Sequence, residues 1–271
     1  MASATRKYMV EPGGKINLSK MNPAETALFE DGKKVALEKN EKMRSKIDSM
    51  QEMLYAQKKH RILIVLQGID TAGKDGTIRH VFEGVNPQGV KVASFKKPTE
   101  PESDHDFLWR VHPHVPGKGE IVIFNRSHYE DVLVVRVHDL VPEKIWKKRY
   151  DHINNFEKML SDEGVTILKF FLYIDRDEQK KRLLSRQSDE TKQWKLSESD
   201  VPERKLWDKY IKAYEEAISR TSTKDAPWYV IPSNHKWYRN YLISRIISET
   251  MEDLKLKIPK PSFDVSKLVI E

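Results

Sequence analysis

The chain of 271 residues carries 48 lysines and arginines against 41 aspartates and glutamates, a formal net charge of +7, with 38% hydrophobic residues and no cysteine. That length and apolar content suffice for one full-core domain with helical additions, while the lack of cysteine excludes disulfides and thiolate metal sites. The basic balance favours polyanionic partners, a class that includes nucleic acid, membrane surfaces, nucleotides and inorganic phosphate chains. The opening MASATRKYMVEPGGK lacks the apolar core of a secretion signal. No run of about 18 apolar residues occurs either, so a soluble, cytoplasmic protein outside the membrane is expected.

Residues 1–30, with Pro12-Gly13-Gly14, Pro23 and little periodicity, read as an N-terminal arm. From Asp31 to His60, Met43, Ile47, Met50 and Leu54 recur at helical spacing, which predicts an amphipathic helix. Ile62 to Leu66 is an unbroken, partly β-branched run suited to a central parallel strand. Gly68, Gly73 and Lys74 then give the phosphate-loop spacing G-x-x-x-x-G-K. In that pattern backbone N–H groups and a helix start surround an anion. Thr77, Ile78, Val81 and Phe82 supply the period of a helix beginning near Lys74. Gly68, Thr71, Ala72, Gly73, Lys74, Asp75, Gly76 and Thr77 are therefore the candidate phosphate and nucleotide contacts. Asp75 stands where a Ser or Thr usually meets the metal, and Asp70 is a second carboxylate within the loop. Two acids facing phosphates need a divalent cation between them, which points to Mg²⁺, with Mn²⁺ as the alternative.

Val90, Val92 and Ser94-Phe95 suggest a second strand ending in Lys96 and Lys97, where ligands of open α/β sheets gather. Residues 103–115 read as helical; they hold His105, His112 and His114, but Pro113 breaks any shared metal-binding face. A third strand, Glu120 to Phe124, runs into Asn125-Arg-Ser-His-Tyr129-Glu130-Asp131. Asn125 takes the place where a phosphate-loop protein usually keeps a metal-holding acid. Arg126 is poised for a phosphate oxygen, or for an ion pair to a neighbouring acid. Residues 142–163 form a helix with a core stripe of Trp146, Tyr150, Ile153, Phe156 and Leu160, and a fourth strand covers Ile167 to Ile174. Arg182 and Arg186 lie one helical turn apart, a repulsion that a polyanion would reverse. A helix over 202–220 should bury Leu206, Tyr210, Tyr214 and Ile218. Trp228 to Ile231 is a fifth strand, 236–257 a closing helix, and the chain after Pro259 a tail. The alternation gives an α/β domain with a mainly parallel sheet.

GIDTAGKDG at 68–76, FNRSHYED at 124–131, QWKLSESD at 193–200 and APWYVIPSN at 226–234 resemble the polyphosphate kinase 2 family, and the resemblance runs over nearly the whole chain. It implies a P-loop kinase fold like that of thymidylate kinase, with five strands flanked by helices and a single domain over 1–271. Within that domain it implies a helical lid at about 176–200 and a tail at 259–271. The implied activity is reversible, Mg²⁺-dependent phosphoryl transfer from inorganic polyphosphate to nucleotides.

By position, Asp70, Lys74, Arg126 and Glu130 would be catalytic, with Asp70, Asp75 and Glu130 on the metal. Lys96 and Asn125 would join the loop in binding phosphate and nucleotide. Lys74, Arg126, Arg182, Arg186 and Lys195 would hold the polyphosphate. Members that act on ADP usually read F-D-R-S-W-Y-N at the second motif, whereas Asn125, His128 and Glu130 resemble the class III subgroup, which also accepts AMP. A homo-oligomer, dimer or tetramer, goes with this reading. The rivals are an ADP-only transferase, an ATP-dependent kinase of a small metabolite with Ser or Thr in place of Asp75, and a nucleic-acid binder. The last would interleave aromatic and basic residues on one platform, a pattern not seen here.

Overall fold

Alternate residues of the apolar runs face opposite sides of one parallel sheet, and each side is covered by helices. The computed structural model describes residues 4–29 and 32–270. In chain order the elements are α1 (Gly32–Gln57), β1 (Arg61–Gln67), α2 (Lys74–Val81), β2 (Val90–Ser94), α3 (Glu100–Ser103), β3 (Ile121–Asn125), α4 (Glu130–Val137), α5 (Glu143–Asp162), β4 (Val165–Tyr173), α6 (Arg176–Gln187), α7 (Glu190–Gln193), α8 (Asp200–Lys205), α9 (Trp207–Thr221), β5 (Trp228–Pro232) and α10 (Lys236–Asp253). Strand order is β2-β3-β1-β4-β5, all neighbours parallel, with Leu66 opposite Asn125 and Phe170.

Ile62, Ile64 and Leu66 pack with Leu168, Phe170 and Leu172 against α1 and α10. Leu63 and Val65 pack with Val122 and Phe124 against α4, α5 and α9. Because the chain steps from β1 outward to β2, returns to β3 beside β1, and then crosses to β4, β1 borders the topological switch point. The crevice for ligands opens beyond its C-terminal end.

The N-terminal arm does more than lie on the surface. Met9 bridges Tyr229 in antiparallel fashion beside β5, and Tyr8, Val10, Leu18 and Phe29 are buried. Asp31, the expected start of the first helix, falls outside the described residues. Three expectations need correction. The helix over 103–115 does not form, because its residues prefer local side-chain bonds. Thr99 and Glu102 close a capping box on four-residue α3, Asp106 accepts from the Leu108 N–H at 3.0 Å, and Pro113 sits in a 3₁₀ turn at His112–His114. The helix over 202–220 splits at Leu206, and both Leu206 and Tyr210 stay half-buried, Tyr210 facing the crevice. The closing helix stops at Asp253, and Lys255 beyond it adopts a left-handed φ of 51°.

Candidate active site

At the end of β1 the chain turns sharply through Gly68, where a Cβ would come within 2.9 Å of both the Ala72 Cβ and the Leu172 carbonyl oxygen. The Ala72 N–H closes the turn on the Ile69 carbonyl at 3.0 Å, and α2 begins at Lys74. The Lys74 side chain folds back into the loop, with Nζ donating to the Gly68 carbonyl at 2.7 Å, and is buried. Burial, and then the Arg126 charge, lower its pKa, against the pull of Asp70, Glu130 and Asp75. A cation held this way is short of negative charge, which a phosphate would supply. The buried hydroxyls of Thr71 and Thr77 point the same way, since neither Oγ1 has a hydrogen-bond partner among the described residues.

β3 delivers the second cluster. Arg126 takes a left-handed φ of 62°, and its Nη2 donates to Asp70 Oδ1 at 2.8 Å, so its ion pair crosses to the phosphate loop rather than closing on its own turn. Asn125 Nδ2 donates to Asp75 Oδ1 at 2.7 Å. The second motif thus holds both carboxylates of the phosphate loop. Glu130, first residue of α4, borders the cleft; burial raises its pKa, while Arg126, Lys74 and a hydrogen bond from Gln67 restrain the rise. Gly68, Asp70, Arg126 and Glu130 line one cleft with Gln179, His138, Glu203, Trp207, Tyr210 and Tyr214.

Asp70, Asp75 and Glu130 do not converge as a ready-made metal cage. Among the described residues no three His, Cys, Asp or Glu side chains share a point that could hold an ion. Asp70 is turned to Arg126 and Asp75 to Asn125. An all-oxygen donor set of one or two carboxylates still suits Mg²⁺, whose remaining ligands come from waters and substrate phosphates. The three histidines of 105–114 are spread among aromatic neighbours: His105 stacks on Trp109, His112 meets Phe156 edge-on and His114 meets Phe95.

The family model described as Polyphosphate kinase 2 matches this chain over residues 31–259. The chain belongs to the polyphosphate kinase 2 family. An AMP/ADP-polyphosphate phosphotransferase of Meiothermus ruber is 56% identical over 266 residues, covering 98% of this chain and 100% of the relative. An ADP-polyphosphate phosphotransferase of Rhodopseudomonas palustris is 42% identical, covering 96% and 94%. The crystal structure of a polyphosphate kinase 2 from Arthrobacter aurescens superposes with a TM-score of 0.94 at 40% identity, covering 98% of this chain and 95% of that one. The P-loop kinase fold follows from this family membership and from the parallel sheet.

Arg182, Arg186 and Lys195 do not behave alike. Arg182 is buried and all five of its N–H bonds are occupied: Nε on Glu178 at 2.8 Å, Nη1 on the carbonyls of Thr71 and Ala72 at 2.9 Å each, and Nη2 on those of Ser233 and Asn234 at 2.6 and 3.2 Å. It braces the phosphate loop from behind and has no donor left for a phosphate chain, which corrects its expected place beside Arg186 and Lys195. Those two remain near the surface. Arg186 Nη1 reaches the Lys195 carbonyl at 3.3 Å, and Lys195 lies over the exposed Trp194 ring. Lys96 is exposed beyond β2 and does not line the cleft.

Sequence reasoning missed Gln67, His138, Glu203, Trp207 and the buried Arg239. Gln67 ends the apolar strand as a lone amide, a faint signal of a polar group needing a partner, whereas Arg239 is one of several charged residues in its helix and carried none.

Proposed function

We propose that this chain transfers the terminal phosphoryl group of inorganic polyphosphate to AMP and then to ADP. The observation that carries this reading is the gathering of Arg126, Asp70 and Glu130 at one cleft at the sheet's switch point, with the buried Lys74 close enough behind it to feel all three charges. Relatives that share the chain end to end and bear names of this chemistry support it. An acceptor phosphate oxygen attacks the terminal phosphorus of the chain in line, the bond to the bridging oxygen breaks, and polyphosphate leaves one unit shorter. Such an oxygen is already ionised near neutral pH, so catalysis rests on positioning and on neutralising charge, and no covalent enzyme intermediate is needed.

Lys74 and the loop N–H groups hold one phosphate, while Arg126, steadied by Asp70, meets another. Mg²⁺ supplies charge between the two anions when bound, and Asp70 and Asp75, with Glu130, are the residues that would hold it, directly or through water. AMP brings one phosphate where ADP brings two. A carboxylate at Glu130 with neutral Asn125 can order metal or water in the vacated place without adding a further unpaired acid. The test supplies AMP, Mg²⁺ and polyphosphate as sole donor, and follows ADP and ATP over time for the parent and for Glu130→Asn. ADP followed by ATP is expected from the parent, with the variant losing AMP activity more than ADP activity. No ADP from the parent, or an unchanged activity ratio in the variant, would refute the AMP assignment.

A further inference from the structure

Behind the phosphate loop, on the side away from the cleft, lies a second guanidinium. Arg239, in the first turn of α10, is 1% exposed and ranks among the largest fully buried side chains. Its Nη1 donates to the Ala72 carbonyl at 3.1 Å, while Nε and Nη2 donate to Asn240 Oδ1 at 3.1 and 2.9 Å. Among the described residues these acceptors are all neutral. Arg182, by contrast, has the Glu178 carboxylate. Burial, and then the nearby charge of Arg182, push the Arg239 guanidinium down from 12.5 to about 9, so at neutral pH it remains a buried cation without a carboxylate.

The Ala72 carbonyl accepts from both guanidiniums, Arg182 Nη1 at 2.9 Å and Arg239 Nη1 at 3.1 Å. In a planar trans peptide the C=O of one residue and the N–H of the next point in opposite directions. Pulling the Ala72 carbonyl backward therefore turns the Gly73 N–H forward, and among the described residues that N–H has no backbone acceptor. Gly73 has two reasons to be glycine: its φ is 106°, and a Cβ there would overlap Arg239 Nη1 at 1.9 Å. A Cβ at Gly76 would approach Arg239 Nη2 at 3.4 Å. The guanidinium is thus seated against the two glycines that flank Lys74 and Asp75.

We propose that Arg239 is a positioning residue of the phosphate loop: it aims the Gly73 N–H into the site through the Ala72 carbonyl, and it keeps a buried positive charge that a phosphate bound across the loop compensates. This rests on the reading of residues 68–76 as the phosphate site. An uncompensated buried charge opposes folding, and replacing it with an apolar side chain of similar volume removes that penalty. The charge therefore serves ligand binding at the expense of the empty protein.

The experiment measures the affinity of inorganic tripolyphosphate by calorimetry, the Tm without ligand, and KM and kcat with polyphosphate, for the full chain and for Arg239→Met, Arg239→Lys and Lys74→Ala. Arg239→Met is expected to keep or raise the ligand-free Tm while weakening tripolyphosphate about 10- to 100-fold, by analogy with the loss in metal affinity when groups that orient metal ligands from behind are removed. Arg239→Lys restores the charge and should recover a substantial part of that affinity. Unchanged affinity in Arg239→Met overturns the proposal. So does a Met variant that unfolds or loses Tm, or a Lys variant no better than Met, because each assigns Arg239 to packing alone. Lys74→Ala separates the two levels: if it binds tripolyphosphate normally, the phosphate-site reading falls and the proposal with it, whereas loss in Lys74→Ala without loss in Arg239→Met overturns the proposal alone.

Discussion

Glu130 borders the cleft between two cations, and yet its pKa lies above the ordinary 4.5, because burial outweighs the help of Arg126, Lys74 and Gln67. The sign has two consequences. A carboxyl whose folded pKa is raised opposes folding above that pKa, and this opposition fades as pH falls through it. Glu130→Gln is therefore expected to raise the Tm at neutral pH, a stability gain set against function. In the free enzyme Glu130 also loses its charge at a higher pH than an ordinary glutamate. The kcat/KM for AMP should accordingly show an acid limb with its midpoint above 4.5, and the residual activity of Glu130→Gln should lack that limb. An identical limb in the variant would assign the titration to another group.

At the scale of elements, the loop bearing Arg126 and Glu130 rests on a buried ion pair that ties β4 to α5. Lys169 and Glu157 are both fully buried, Nζ to Oε2 2.5 Å, and Lys169 also donates to Tyr129 Oη at 2.8 Å and to the Thr221 carbonyl at 2.7 Å. The Tyr129 hydroxyl donates to Glu157 at 2.8 Å, and the His128 ring lies 3.2 Å from the same oxygen, so residues 128–129 of the second motif are anchored to the pair. Burial alone would raise the pKa of Glu157, but Lys169 and His128 hold it below 4.5. Its contribution to stability is present above 4.5 and is lost as pH falls through the lower folded value.

Removing one partner strands the other charge, so Lys169→Met should cost about 3–5 kcal/mol in urea unfolding. Lys169→Met combined with Glu157→Gln should cost less than the sum of the single changes. Strict additivity would show that the two groups do not depend on each other. This network also marks where reading the sequence stops. The strand, loop and helix over 62–81 were legible because apolar runs and glycine spacing are local properties, and the acids and cations of FNRSHYED could be placed at a strand end by the same logic. Lys169 inside the apolar strand announces only that a buried charge needs partners, and Arg239, one of several charged residues in its helix, announces nothing. Their partners, Glu157 and the Ala72 carbonyl, lie 12 and 167 residues away. Arg182 was misassigned for the same reason: spacing showed a cation one turn from Arg186, while four of its five acceptors are set by the meeting of α6 with the phosphate loop and the turn after β5.

Across the whole molecule, the net charge of +7 suits a long polyanion, and the cations are divided between layers. Lys74, Arg182 and Arg239 are buried at or behind the phosphate loop, whereas Arg186 and Lys195 lie nearer the solvent. Exposed cations exchange with bulk salt, and the counterions they release on binding grow in number with the phosphates they neutralise. For linear nucleic acids each such contact adds about 0.7 to 0.9 to the slope of log affinity against log salt, and the same physics applies to any linear phosphate chain. Long polyphosphate should therefore lose affinity with salt more steeply than tripolyphosphate, and AMP should lose least. Replacing Arg186 and Lys195 together with alanine should flatten the long-chain slope by roughly 1.5, two contacts' worth, and leave the AMP slope unchanged. The measurement is a salt series of binding affinities for long polyphosphate, tripolyphosphate and AMP on the parent and the double variant. Equal slopes for the two chain lengths, or equal flattening for donor and AMP, would show that Arg186 and Lys195 do not grip the donor chain.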